Sequence, residues 1–257
     1  RYSDAVFRCW NIYGHGNLNV SQALTHSCNY FFYEMGYRFG LSGDSESGTN
    51  FELANNRMRE YADLYGLTEK SGIEIEESTP QFSMVNPSQS AIGQGEHNYT
   101  TVGLARYVAT VANSGTCYNL SLLDRVTDRN GNLLEDFTPE VRNTIEMPTA
   151  YWDAIHSGMR GVVENKKYFG DAGVFAAGKT GTADENKLRP AHALFVGYAP
   201  YDNPEIAIAT RIGNGYASDY AAQISCKVMQ YYFNPDNEEE ILGGTASHLE
   251  AVTNTGD

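Results

Sequence analysis

The chain has 257 residues, 41% of them hydrophobic, and a formal net charge of -14. This length suits one large domain or two small ones, and the apolar share supports a sizeable core, which excludes global disorder. The acidic balance excludes a nucleic-acid partner, because no basic stripe is present to neutralise phosphates, and no apolar run reaches the roughly eighteen residues of a membrane span.

The sequence opens at Arg1 rather than at an initiator Met, so it reads as a segment of something longer. Its four cysteines, Cys9, Cys28, Cys117 and Cys226, are scattered, with no C-x-x-C pair and no His at metal-ligand spacing. The expectation is therefore no metal site and no cofactor, with most cysteines acting as small buried apolar residues. Spacing leaves any disulfide pairing open.

The first informative run is Gly14-His15-Gly16, a loop. His15 reads as a backbone-bonded structural histidine ahead of a functional one. Asn19 or Ser21 can then cap a short helix. A polar break, Thr25-His26-Ser27-Cys28-Asn29, separates it from an aromatic-rich helix beginning at Tyr30. Ser27 and Asn29, one residue apart, can point to the same side of a tight turn. Alone that signal is weak, because both types are common helix caps.

Thr49 or Asn50 can cap a helix from Phe51 to Tyr65, stopped by Gly66, with Tyr61, Leu64 and Tyr65 as its expected core face. Residues 80–87 read as loop, followed by the glycine-rich turn Ala91-Ile92-Gly93-Gln94-Gly95-Glu96. Thr100 caps an apolar helix ending near Gly115. Residues 120–137 read as a hairpin around Arg129-Asn130-Gly131-Asn132. Pro148 or Thr149 opens another helix, carrying Trp152, Ile155, Met159 and Val163.

Gly173 to Thr180 reads GVFAAGKT and so satisfies the phosphate-binding pattern G-x-x-x-x-G-K-[ST]. That motif needs a buried strand before it and a helix starting at the lysine. The preceding residues 165–171 are polar, and Gly181 interrupts any helix start, so a nucleotide site is rejected. The better reading is an edge strand through Lys179-Thr180-Gly181-Thr182. Period-two alternation sends Lys179 and Gly181 to one face and Thr180 and Thr182 to the other. The free strand edge can pair with an extended peptide, and Gly181 leaves room for its approach. Residues 192–199 and 205–212 read as two further antiparallel strands, and a closing helix runs from about Tyr216 to Tyr232. Residues 234–257 read as an acidic, flexible tail.

Three motifs fall in order: Ser27-Cys28-Asn29, then Ala91-Ile92-Gly93-Gln94-Gly95-Glu96, then Lys179-Thr180-Gly181-Thr182, with Lys179 lying 152 positions after Ser27. Together with the HALFVGYAP strand they resemble the transpeptidase domain of class B, high-molecular-weight penicillin-binding proteins. The run GHGNLNVSQAL…SCNYFFY is most similar to the side-wall-elongation branch. The resemblance implies an α+β, penicillin-binding/beta-lactamase-like transpeptidase fold, an antiparallel sheet flanked by helices plus a helical subdomain, with residues 1–233 as its C-terminal part.

The family's nucleophile lies in an S-x-x-K motif ahead of the S-x-N turn. Before Ser27 none exists: Ser3 is followed three places on by Val6, and Ser21 by Leu24. The nucleophilic serine and its lysine are therefore expected upstream of this sequence, and the chain alone is expected to be inactive.

The implied reaction is two-step acyl transfer on peptidoglycan stem peptides, with beta-lactams trapped as acyl-enzymes. The resemblance makes Ser27, Asn29 and Lys179 catalytic. It makes Thr180, Gly181 and Thr182 substrate-binding, with the Thr182 N–H as half of an oxyanion hole. The Gly93–Glu96 turn is expected to be support, and Cys28 packing. Implied partners are the upstream segment and the cell-wall elongation machinery, at the outer face of the bacterial cytoplasmic membrane. A serine beta-lactamase and a non-catalytic beta-lactam sensor share the fold and stay as alternatives. The interval of 152 positions is long for the first, and no group to activate hydrolytic water is assigned for it.

Overall fold

The computed structural model describes residues 6–41, 48–185 and 188–243. The first helix is short and is set by its cap. Helix α1 (Val20–Thr25) starts in a capping box, in which Asn19 accepts from the Gln22 N–H and the Gln22 side chain accepts from Asn19 N–H. Helix α2 (Asn29–Arg38) follows after a three-residue break. Helix α3 (Phe51–Leu64) is capped by Asn50, whose side chain accepts from Leu53 N–H at 3.0 Å.

The expected apolar face of α3 needs correcting. Tyr61 is exposed, and the buried residues of the helix are Ala54, Asn55 and Ala62. Asn55 donates to the carbonyls of Met84 and Val85, at 2.9 and 2.6 Å, and so fastens the 80–87 loop to the helix. Tyr65 does enter the core, edge-on to Tyr107 and Trp152. A polar anchor thus does the work that the apolar stripe was assigned.

Pro87 opens a four-residue helix, α4 (Pro87–Ser90), within the stretch read as loop and turn. Helix α5 (Thr101–Ala112) is capped by Thr100 as expected. It carries Arg106, almost fully buried, which donates to the carbonyls of Gly66, Glu69 and Ser71 beyond the end of α3. A buried guanidinium is tolerated here because three carbonyls face it.

Strands β1 (Thr116–Asn119), β2 (Arg125–Thr127), β3 (Leu133–Asp136) and β4 (Glu140–Thr144) form two small sheets, β1 with β4 and β2 with β3. The β2–β3 pair is the expected hairpin, although its strands are shorter than residues 120–137 suggested. The β1–β4 pair was not foreseen; it encloses that hairpin. Helix α6 (Thr149–Glu164) follows, then α7 (Lys167–Asp171), a helical turn held down by the buried Phe169.

The central sheet has strand order β5 (Ala177–Ala183), β6 (His192–Ala199), β7 (Ile206–Ile212), all antiparallel. Lys179 sits in the middle of β5 opposite Val196, with no helix beginning at it, so the phosphate-loop geometry is absent. Among the described residues β5 is an edge strand.

Period-two alternation sorts the core onto the two faces of the sheet. Ala193, Phe195 and Ala199 pack with Ala221, Ala222, Cys226 and Met229 of α8 (Ser218–Phe233). Tyr198 and Ala177 pack with Val108 and Val111 of α5 and Met159 of α6. Gly178 faces the α8 side because a Cβ there would run into the Phe195 ring.

Residues 234–243 depart from the expected flexible tail. They include α9 (Glu238–Leu242), where Ile241 is buried and its carbonyl accepts from Lys227 Nζ at 2.7 Å. One apolar anchor suffices to dock this acidic stretch. The rest of the expected tail, 244–257, lies outside the described residues, as does Ser3. No helix of the described residues is long and apolar enough to cross a membrane.

Candidate active site

The turn that carries Ser27 is dictated by how α1 ends. Ser27 N–H donates to Leu24 O at 3.2 Å, and Cys28 N–H to Ala23 O at 3.0 Å. These paired bonds form a Schellman helix end, which calls for a left-handed residue at its pivot. Ser27 is that residue, with φ of 47°. Glycine would take this conformation freely, whereas a serine held there costs about 1–2 kcal/mol. Such strain concentrates where a particular side chain is required.

The requirement is visible across the groove: Lys179 Nζ donates to Ser27 Oγ at 2.9 Å and to Thr180 O at 3.0 Å. Both side chains are half-buried. Replacing Ser27 by glycine is therefore expected to leave stability within about 1 kcal/mol of wild type, whereas valine should lose about 1–3 kcal/mol, since a β-branched residue fits a left-handed φ poorly. Thermal denaturation of the two variants checks this; equal losses would remove the strain argument.

Helix α6 fixes the register between the turn and the strand. On one side Ser21 Oγ donates to Ala154 O at 2.8 Å and Thr25 Oγ1 to Gly158 O at 3.2 Å. Gly158 lets α1 lie flush on α6, because a Cβ there would sit 2.7 Å from Leu24 Cβ and 2.9 Å from Ser21 O. On the other side Arg160 of α6 donates to Ala176 O at 2.8 Å, just ahead of β5, and lies over the Phe175 ring at 4.1 Å. Ser27 and Lys179 meet because one helix grips both of their carriers.

The remaining predicted residues surround this pair. Asn29 is the first residue of α2, half-buried, two positions beyond Ser27. Thr180, Gly181 and Thr182 continue β5. Ala91, which opens the glycine-rich turn, lies against α2, where a Cβ added at Gly36 would sit 2.9 Å from Ala91 Cβ. Adjoining α4 packs on α2, where Ser88 Oγ donates to Tyr33 O at 3.0 Å. His97 locks that turn, accepting from Ser83 N–H through Nδ1 at 3.1 Å, with Nε2 3.2 Å from Ser90 O. Burial holds the His97 imidazole below its ordinary range.

Two features escaped the sequence reading. Trp10 Nε1 donates to both His26 O and Ser27 O, at 3.2 and 3.1 Å. Three of the four cysteines, Cys28, Cys117 and Cys226, are buried as expected, but one of them also belongs to a cluster. Cys9, His15 and Cys28 bring one ligand atom each within 4.8 Å of one another, with Cys9 Sγ 3.6 Å from His15 Nδ1. Two sulfurs and an imidazole suit zinc, which needs deprotonated thiols and commonly takes Cys and His. This set could hold such an ion, a candidate that the scattered spacing gave no sign of, while Cys28 is also buried as a packing residue. Among the described residues His15 Nε2 is buried with no hydrogen-bond partner, against the expected backbone-bonded histidine. Burial, aided by the neighbouring His26, pulls the His15 imidazole down, and burial raises the Cys28 thiol. Scattered spacing hid the cluster because the helix break at 26–28 folds Cys28 back towards residues 9–15.

Residues 1–230 match the profile of the penicillin binding protein transpeptidase domain. The peptidoglycan D,D-transpeptidase MrdA of Haemophilus influenzae is 29% identical over 89% of this chain and 38% of its own length. Among solved structures, penicillin-binding protein 2B of Streptococcus pneumoniae strain R6 has a TM-score of 0.72 at 25% identity, covering 85% of this chain and 40% of that one. Pseudomonas aeruginosa PBP2 in complex with WCK 5153 has a TM-score of 0.69 at 26% identity, covering 89% of this chain and 50% of that one. The chain thus spans about two-fifths of the length of the curated relatives it matches.

Proposed function

The chain belongs to the penicillin-binding protein transpeptidase domain family, class B and MrdA/PBP2 type, and from that premise we propose that it forms one wall of a peptidoglycan D,D-transpeptidase site. The observation that carries this reading is the 2.9 Å hydrogen bond between Lys179 Nζ and Ser27 Oγ. It joins two motifs far apart in sequence, the second of them on β5, an edge strand among the described residues.

The nucleophile is a serine outside residues 1–257, since no serine in them is followed three places later by lysine. That serine attacks the carbonyl between the two terminal D-alanines of a stem peptide. The C–N bond breaks, and the proton taken from the serine passes to the departing D-alanine amine. An amine of a second stem then attacks the acyl-enzyme ester, forms the cross-link and returns a proton to the serine.

Ser27 and Lys179 form the proton path on this wall, and the lysine's positive charge also favours the substrate carboxylate. Thr180 and Thr182 bind that carboxylate, and Asn29 holds the substrate amide. The Thr182 N–H stabilises the oxyanion. Gly181 keeps the strand edge open to the peptide backbone. Beta-lactams enter the same site and stop at the acyl-enzyme. The site works outside the cytoplasmic membrane, in side-wall elongation, alongside the machinery that polymerises glycan.

The test is a reaction of the full-length protein with a pentapeptide stem ending in D-Ala-D-Ala, followed by mass spectrometry. Release of free D-alanine with formation of a cross-linked dimer is expected. Hydrolysis of penicillin with turnover, and no release of D-alanine, would instead identify a beta-lactamase.

A further inference from the structure

We propose that Trp10 is a positioning residue of this site, holding the strained Ser27 turn through its indole N–H; the inference rests on the transpeptidase reading above. The Schellman bonds at the end of α1 use the N–H groups of Ser27 and Cys28. The carbonyl of His26, the cap residue of α1, is one of the acceptors that a helix end leaves unsatisfied, and that of Ser27 lies just beyond it. Trp10 Nε1 lies 3.2 Å from the first and 3.1 Å from the second, so a single donor bridges the two peptide units that flank the left-handed pivot. Relaxing Ser27 out of that conformation would rotate both carbonyls away from the indole. The bond therefore opposes a motion that would withdraw Ser27 Oγ from Lys179.

The donor is itself held in place. Asn11 Nδ2 donates to Gly14 O at 2.8 Å and Asn11 Oδ1 accepts from Tyr13 N–H at 3.0 Å, closing the loop that follows Trp10. His15 returns from this loop to meet the indole edge at 5.2 Å and to stack on His26 at 5.7 Å. Trp10 is 44% exposed, so burial does not account for a tryptophan here. Its bifurcated hydrogen bond does.

The experiment compares Trp10→Phe and Trp10→Ala with wild type in the full-length protein, using a fluorescent penicillin. The saturating acylation rate, the half-saturating concentration, the end-point labelling and the melting temperature are all recorded. Loss of the N–H should slow saturating acylation by about tenfold in both variants. The half-saturating concentration should stay within about twofold, and end-point labelling should stay at one per chain.

Trp10→Phe acylating at the wild-type rate would overturn the proposal, because ring packing alone would then suffice. Reduced end-point labelling at an unchanged rate would overturn it too, since that pattern marks a folding role. Wild type that does not label would sink the transpeptidase reading and this inference with it.

Discussion

Lys179→Ala in the full-length protein is expected to slow acylation by penicillin by about 10²–10⁴-fold, the range of a positioned proton-transfer group. The change removes the only charged side chain of β5, and with it the hydrogen bonds to Ser27 Oγ and Thr180 O. Stability should change little, because Lys179 is half-buried on an edge strand whose pairing with β6 is made by backbone groups. Arginine should not rescue the rate. Its planar fork cannot place one point donor between a hydroxyl and a carbonyl as an ammonium does. Stopped-flow acylation alongside thermal melting separates rate from folding. An alanine variant within about threefold of wild type would remove Lys179 from the proton path.

Gly158→Val should impair the same reaction without touching the groove. A Cβ at this position already approaches Leu24 Cβ at 2.7 Å, and valine adds two methyl groups beyond it. The backbone oxygen of Ser21 is 2.9 Å away, so a rotamer change of Leu24 alone does not clear the space. Helix α1 must lift from α6, carrying Ser27 with it while Lys179 stays on β5. Overpacking of this kind costs about 1–3 kcal/mol. A displacement of about 1 Å at the reacting groups costs about 10²-fold in rate. The expected signature is a folded protein of lowered melting temperature, whose acylation rate falls by far more than its folded fraction. A loss of rate no larger than the loss of folded protein would show that α1 and β5 are not held in register through α6.

The parts of this architecture that were legible in sequence are those written in local chemistry. Asn50 and Thr100 cap their helices as their positions before apolar runs indicate. The alternation in His192 to Ala199 sorts Phe195 and Tyr198 to opposite faces of the sheet. Lys179, Thr180, Gly181 and Thr182 lie on an edge strand among the described residues, as the small-residue run with its one lysine was read. What was not legible depends on partners distant in sequence. The burial of Asn55 follows from two loop carbonyls near residue 85, which no helical periodicity reveals. The Asn165–Asp171 run gives no strand pattern, and its helical turn rests on the buried Phe169 and on Tyr168 and Lys166, which both donate to Asp219 of α8. Within the site, Trp10 and the trio Cys9, His15 and Cys28 converge only because the Ser27 turn reverses the chain.

The central claim is that this chain contributes the Ser27–Lys179 wall while the nucleophile lies outside residues 1–257. Peptide mapping of the full-length protein after exposure to a saturating penicillin tests it most directly. The account predicts a single adduct, on a serine outside these residues, that no longer forms at a measurable rate in Lys179→Ala. An adduct on Ser27, or on any other residue of this chain, would contradict it.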